Sequence, residues 1–282
     1  MLLRWLAKLP LGALHALAPP LHIIAYYVVR YRRDVVRKNL HNSFPEKSTA
    51  EIESLEKKFY RQLIDVLLEA VKANTMTEAE FRQRVHLENA DIFDQHIHNK
   101  QSIILLAAHH CNWEWLLPAC NIFLPFAVDA VYKPLHQKFV DEFMLQTRSR
   151  FGAKPIPHKS AVMDIMQRRN EMRAFAMVAD QSPKRKEEKH WMQFLHQETS
   201  FQMGMAKIPQ MTKYPVYFAY MRRERRGHYA VQFIPLAEPP YTKGDMSIIE
   251  SYVQALEHSI AAQPEAWLWT NDKWSRLRGI YE

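Results

Sequence analysis

The chain has 282 residues, with 38 Lys and Arg against 30 Asp and Glu for a formal charge of +8, and is 48% hydrophobic and 12% aromatic. That apolar content excludes a disordered chain, and two cysteines, Cys111 and Cys120, exclude a disulfide framework and a cysteine zinc site and point to a reducing compartment. With 6 glycines there is no Gly-x-Gly-x-x-Gly, no Gly-x4-Gly-Lys-Ser/Thr and no Gly-x-Ser-x-Gly, so dinucleotide-binding, P-loop and serine-hydrolase readings lose their main support.

Residues Leu2 to Val29 are strongly apolar. Arg4 and Lys8 interrupt them early, and Pro10, Pro19 and Pro20 are expected to break helical continuity. The longest clean run is then Leu21 to Val29, too short for a bilayer that takes about 20 apolar residues. The run is followed by RYRRDVVRKNL without a small-residue cleavage site, which argues against a signal peptide. Trp5, Tyr26, Tyr27 and Tyr31 suit a water–lipid boundary, and Arg30, Arg32, Arg33, Arg37 and Lys38 suit an anionic leaflet. Residues 1–45 read as a membrane-associating helical segment with a basic flank. A pair of core helices with a solvated basic end fits the same pattern.

From residue 46 onward the pattern becomes that of one catalytic domain, 46–282. Ser48 with Glu51 predicts a capping box, and Ile52, Leu55, Phe59, Leu63, Val66, Leu67 and Ala70 recur at helical spacing to about Asn74. Thr77 with Glu80 predicts another helix start. SIILLAAHH from Ser102 reads as a buried strand, and Phe126–Tyr132 and Ala174–Asp180 as two more. Helices are predicted over Gln137–Arg150, Ser160–Arg169 and Met246–Ala262. The runs from Pro215 and from His228 read as a hairpin around Arg226-Gly227. Strands alternating with helices predict an α/β fold, a sheet sandwiched by helices.

The strongest constellation follows the strand from Ile103. His109 and Glu114 are five apart, about 140° around an ideal helix, so both cannot sit mid-helix on one face. They can meet if His109 ends the strand and Glu114 lies in the first turn of the next helix, for which Asn112 is a good N-cap. Glu114 would be favoured there as an anion and could accept the Nδ1–H of His109, leaving Nε2 as a base. Such a His can take the proton of a hydroxyl attacking an acyl carbon, with no side-chain nucleophile needed. His110 is the competing base, four residues from Glu114. Cys111, beside two histidines, raises a Cys–His nucleophile as a rival. His190, His196, His96 and His98 could ligate a metal, but no acidic or Cys ligand sits at fixed spacing, and no metal is expected.

Around these residues the sequence resembles the late acyltransferases of lipid A biosynthesis, within the broader lysophospholipid acyltransferase group. That group carries a His-x4-Asp/Glu signature, and its lipid A branch often reads His-x-x-Asn-Trp-Glu, which His109 to Glu114 match. Tyr132-Lys133-Pro134, Arg148 and Arg150 within QTRSRFG, Ala179-Asp180-Gln181, and Phe194-Leu195 with Thr199 resemble successive family elements. So do RYRRDVVRKNLHNSFPE and the ending Pro264-Glu265-Ala266-Trp267-Leu268-Trp269 with Lys273-Trp274. Ala108 stands where many relatives carry Gly, and Cys111 where Gly or another small residue is common.

The resemblance implies a glycerol-3-phosphate-acyltransferase-like α/β fold with a central mixed sheet. It implies a membrane-associated O-acyltransferase at the cytoplasmic face of the inner membrane. An acyl chain would move from an acyl-carrier-protein or coenzyme A thioester, a co-substrate rather than a cofactor, to a hydroxyl of a lipid A precursor. A lysophospholipid, aminolipid or other glycolipid acceptor is the alternative, and a non-catalytic membrane-surface binding protein the third reading. By resemblance His109 is the base and Glu114 its orienting partner. Arg148 or Arg150 would bind phosphate or phosphopantetheine, with Lys133 a weaker candidate. Asp180 would position a basic group or the acceptor, and Asn112 completes the substrate-side candidates. The +8 charge favours encounter with such anionic partners, and no nucleic-acid motif appears.

Overall fold

The computed structural model describes residues 2–275, so the end of the 46–282 segment, residues 276–282, lies outside the described residues. Helices α1 (Leu2–Ala7), α2 (Leu11–Ile23), α3 (Arg33–Ser43) and α4 (Thr49–Ala73) open the chain. The start of α4 is the expected capping box: Ser48 Oγ accepts from the Glu51 N–H, and the Glu51 carboxylate accepts the Ser48 N–H at 2.8 Å.

Helix α2 corrects one expectation. It runs through Pro19 and Pro20 and continues as a π-helical turn, Ile24–Val28. Proline at position 19 cannot donate to the carbonyl of His15, and Arg226 Nη2 donates to that oxygen instead at 2.9 Å. A freed carbonyl that finds another donor does not force the helix to end. The continuous stretch Leu11–Val28 is long and apolar enough, by length and composition, to cross a membrane, and 28% of it is buried. Its inner face packs Leu14 and Ala18 against Leu68 of α4, while Ile23, Ile24, Tyr27, Val28 and the following Val29 stay exposed.

Helix α5 (Glu78–Arg84), strand β1 (Val85–Leu87) and helix α6 (Asp94–His98) lead to β2 (Ile103–Ala107). There follow α7 (Trp113–Phe123), β3 (Ala127–Tyr132), α8 (Lys138–Ser149), β4 (Ile156–Pro157), α9 (Ala161–Gln167) and β5 (Arg173–Val178). A hairpin of β6 (Lys189–Phe194) and β7 (Gln197–Gln202), helix α10 (Gly204–Thr212), a hairpin of β8 (Val216–Arg225) and β9 (His228–Ala237), and α11 (Ser247–Ala262) complete the fold. The β6–β7 hairpin has no counterpart in the sequence reading. Its two turn residues are Leu195 and His196, both with positive φ, where glycine or asparagine would have announced the turn.

Among the described residues a seven-stranded sheet has the order β1-β9-β8-β2-β5-β3-β4. Strands β8, β2, β5, β3 and β4 are parallel, β9 is antiparallel to β8, and β1 parallels β9. This is the expected mixed sheet flanked by helices. Along β2 all five residues are buried, because both sheet faces are covered. Ile104 and Leu106 face the core shared with α4 and α11. Leu105 and Ala107 face the core shared with α7. On that second face Ala107, Ala130, Ala176 and Ala219 are small, which leaves open volume under α7.

Candidate active site

Strand β2 delivers its chain to a tight turn, Ala108–Asn112, before α7 begins. Cys111 holds φ at 52°, a left-handed conformation that costs a non-glycine residue. This turn is clamped by the segment after α11. Leu268 N–H donates to His109 O at 3.0 Å, and Cys111 N–H donates to Ala266 O at 2.9 Å. Asn112 ends the turn as the expected N-cap, its Oδ1 accepting the Trp115 N–H at 3.1 Å. The Asn112 amide donates to Glu69 Oε2 at 2.7 Å, and Trp115 Nε1 donates to Glu69 O at 2.8 Å. Glu69, fully buried in α4, thus fixes the first turn of α7. Its carboxylate also meets His15 Nε2 at 2.8 Å and the Tyr229 hydroxyl at 2.6 Å.

His109 is not paired with Glu114. Its Nδ1 lies 2.7 Å from Asp180 Oδ1, and its backbone N–H donates to Asp180 Oδ2 at 3.0 Å. Trp267 Nε1 donates to the same Oδ2 at 2.8 Å. Sheet register explains the pairing. Strands β2 and β5 are parallel neighbours with Ala107 opposite Val178, so two residues further on His109 stands opposite Asp180. Asp180 is 1% exposed and His109 17% at its side chain. Burial raises the Asp180 pKa, but the charge and hydrogen bond of His109 and the Trp267 donor outweigh it, so its pKa ends lowered and it stays a carboxylate. Burial pulls the His109 pKa down, and Asp180, with Glu114 adding charge, outweighs that and leaves it raised above the ordinary histidine value.

Glu114 sits in the first turn of α7 and holds Arg148 of α8. Arg148 Nη2 donates to Oε1 at 2.7 Å and Nε to Oε2 at 3.1 Å, a bidentate pair, and Trp113 Nε1 donates to Oε1 at 3.1 Å. Arg148 Nη1 makes no hydrogen bond among the described residues. Burial lowers the Arg148 pKa, but Glu114 outweighs it, so Arg148 stays charged.

A cavity of about 390 Å³ opens beside these groups. Its mouth carries His109, Trp113, Glu114, Arg148, Gln181 and the Tyr132–His136 segment, at the carboxyl ends of β2, β3 and β5, where ligand sites lie in open α/β sheets. Lys133 is at this mouth. Below it the walls are apolar, from Leu105, Leu116, Leu117, Cys120, Val128 and the alanines. Gln181 Nε2 lies 3.4 Å from His109 Nε2, placing an amide at the nitrogen that Asp180 leaves unused.

The other candidates fall elsewhere. Arg150 Nη1 donates to Ala73 O at 2.5 Å, its guanidinium stacks over Phe151, and it does not line the cavity. Asn112 and Asp180 are buried behind the cavity wall rather than on it. His110 is locked between the carbonyls of Met221 and Gln263 at 3.2 and 3.3 Å, with burial lowering its pKa. Burial pushes the Cys111 thiol up, and its Sγ donates to Gln263 Oε1, which removes the Cys–His rival. His96 is spent on Gln101 and Tyr217. Among the described residues no group of three His, Cys, Asp or Glu could hold a metal ion. Sequence reasoning missed Gln181 and Trp267 as members of the site, although both lie in quoted motifs. It also missed Glu69, a carboxylate on the apolar side of an amphipathic helix.

A family model described as bacterial lipid A biosynthesis acyltransferase matches residues 1–276 of the chain. No curated protein sequence matches it.

Proposed function

The chain belongs to the bacterial lipid A biosynthesis acyltransferase family and is an acyltransferase, and on that premise we propose a specific reaction and mechanism for it. It moves a fatty acyl chain from an acyl-carrier-protein or coenzyme A thioester to a hydroxyl of a lipid A precursor. The acceptor hydroxyl approaches His109 Nε2, with the Gln181 amide beside it. As its oxygen attacks the thioester carbonyl carbon, the proton passes to Nε2, and the tetrahedral centre collapses with cleavage of the carbon–sulfur bond. The thiolate leaves and takes the proton from His109.

Asp180 fixes the tautomer and stabilises the imidazolium that forms. Glu114 acts through Arg148: it fixes the guanidinium at the cavity mouth and leaves Nη1 to face the developing oxyanion. The observation that carries this reading is the 2.7 Å contact of His109 Nδ1 with buried Asp180, with the opposite ring edge at the mouth of an apolar cavity.

Residues 1–45 serve as the membrane-associating part, with the exposed apolar face of α2 in the lipid and the basic flank against an anionic cytoplasmic leaflet. The test is mass spectrometry of total lipids from cells with and without the gene, complemented by wild type or His109→Ala. Loss of one acyl group from lipid A, restored by wild type alone, is expected. Unchanged lipid A with an altered phospholipid or aminolipid would contradict the acceptor.

A further inference from the structure

Helix α4 turns two carboxylates, Asp65 and Glu69, to its buried side, one helical turn apart. Between them they collect donors from three separate parts of the chain. Glu69 Oε1 accepts from His15 Nε2 of α2 at 2.8 Å, and Oε2 accepts from the Asn112 amide at 2.7 Å and the Tyr229 hydroxyl of β9 at 2.6 Å. Burial and the Glu69 charge hold the Tyr229 pKa well above its ordinary value, so the phenol keeps its proton and donates. The His15 side chain is 14% exposed, and it sits so close to the β8–β9 turn that a Cβ on Gly227 would come within 3.1 Å of its Cε1. Asp65 accepts from Arg223 Nη2 at 2.9 Å and from Arg226 Nε at 3.0 Å. The Arg223 N–H in turn donates to Gln263 Oε1 at 2.9 Å, the oxygen that also accepts from Cys111 Sγ. The turn Ala108–Asn112 is therefore held from α4 at both Cys111 and Asn112. Of the two holds, the one at Asn112 includes a side chain of α2.

We propose that His15 is a positioning residue for the transfer reaction, acting through Glu69 and Asn112 on the turn that carries His109 and on the first turn of α7 that carries Glu114. Helix α2 is then a working part of the catalytic domain as well as a membrane contact. This rests on the acyltransferase reading and adds to it a residue remote from the cavity. A buried carboxylate keeps one orientation only while donors meet its oxygens. Among the described residues His15 is the partner of Glu69 Oε1. Without it the carboxylate is free to rotate toward another donor, and Asn112 moves with it. His109 Nε2 then leaves its line to the reacting hydroxyl, and a misplacement of about 1 Å set off far from the chemistry costs about 100-fold.

The test compares full-length wild type, His15→Leu and His15→Gln in anionic vesicles. It reads transfer from a saturated acyl-carrier-protein or acyl-coenzyme A thioester to a lipid A precursor, as kcat and as KM for the thioester, and it reads vesicle flotation. Leucine fills the space without a donor, whereas the glutamine amide reaches the position of Nε2 and supplies one. Both variants keep the carbonyl of residue 15 and its bond from Arg226, so α2 stays seated. His15→Leu should lower kcat by about 10–100-fold. KM and flotation should stay near wild type, because His15 and Glu69 lie outside the cavity lining. His15→Gln should restore most of the lost kcat. If His15→Leu is not recovered, His15→Asn takes its place, since its amide stops short of Oε1. Wild-type kcat in the variant without a donor, a loss that glutamine does not restore, or a loss that follows flotation would overturn the positioning role alone. Absence of any acyl transfer by wild type would overturn the acyltransferase mechanism together with it.

Discussion

His109 and Asp180 are joined twice, once through the imidazole Nδ1 at 2.7 Å and once through the His109 backbone N–H at 3.0 Å. The second bond fixes the carboxylate to the main chain at the end of β2, so the first has no freedom to swing away. A ring held this way presents Nε2 to the cavity without paying entropy at the moment of reaction.

The pair sets the pH dependence. In the proposed mechanism His109 must be neutral to accept a proton, and its pKa is raised because Asp180 outweighs burial. The rate kcat/KM should therefore rise with pH through a midpoint above the ordinary histidine value of about 6.5. In Asp180→Asn the carboxylate charge is gone and burial remains, so the residual activity should show an acid limb displaced to lower pH. A pH–rate profile of both proteins checks the sign. An acid limb that stays in place, or moves up, would contradict it.

Asn112 is a structural part of the site, and its prediction concerns stability. Asn112→Ala removes the α7 cap, worth about 1 kcal/mol. It also leaves the buried Glu69 carboxylate one donor short, at about 1–3 kcal/mol more. A destabilisation of about 2–4 kcal/mol in denaturant titration is expected. Because α7 carries Glu114, turnover of the folded fraction should fall as well. A stability within about 0.5 kcal/mol of wild type would show that the Asn112–Glu69 contact is dispensable.

The N-terminal helices yield a membrane prediction. Trp5, Ile24, Val28 and Val29 are all at least 49% exposed. Replacing them together with serine should weaken binding to anionic vesicles by at least about 100-fold, since each buried apolar side chain contributes about 1.5–3 kcal/mol. Thermal stability should hardly change, because none of the four packs in the core. Flotation with anionic vesicles reads the first effect and calorimetry the second. Retained flotation would place the membrane contact elsewhere.

Much of this architecture was legible in the residues. The two capping boxes, the buried β2 strand, the β8–β9 hairpin and the Asn112 cap all rest on local rules, and all are present. The partner of His109 was not legible. It depends on β5 entering the sheet between β2 and β3, a long-range choice that periodicity does not encode. Glu114 was the nearer carboxylate in the chain, but the first turn of α7 points it at Arg148. The continuity of α2 was hidden for a similar reason. The donor that meets the carbonyl freed by Pro19 is Arg226, more than two hundred residues away.

The most direct test of the His109–Asp180 assignment compares kcat/KM of Asp180→Asn and Glu114→Gln. An Asn at 180 still accepts from the Trp267 N–H, so the fold is kept, but its amide face disfavours the working tautomer of His109. The account predicts a fall of about 10³–10⁴-fold for Asp180→Asn, with the acid limb of the profile displaced. For Glu114→Gln it predicts a fall with a smaller displacement of the acid limb to lower pH, because Glu114 adds only the lesser charge to His109 and acts mainly through Arg148. Near wild-type turnover by Asp180→Asn, with the acid limb lost only in Glu114→Gln, would contradict it.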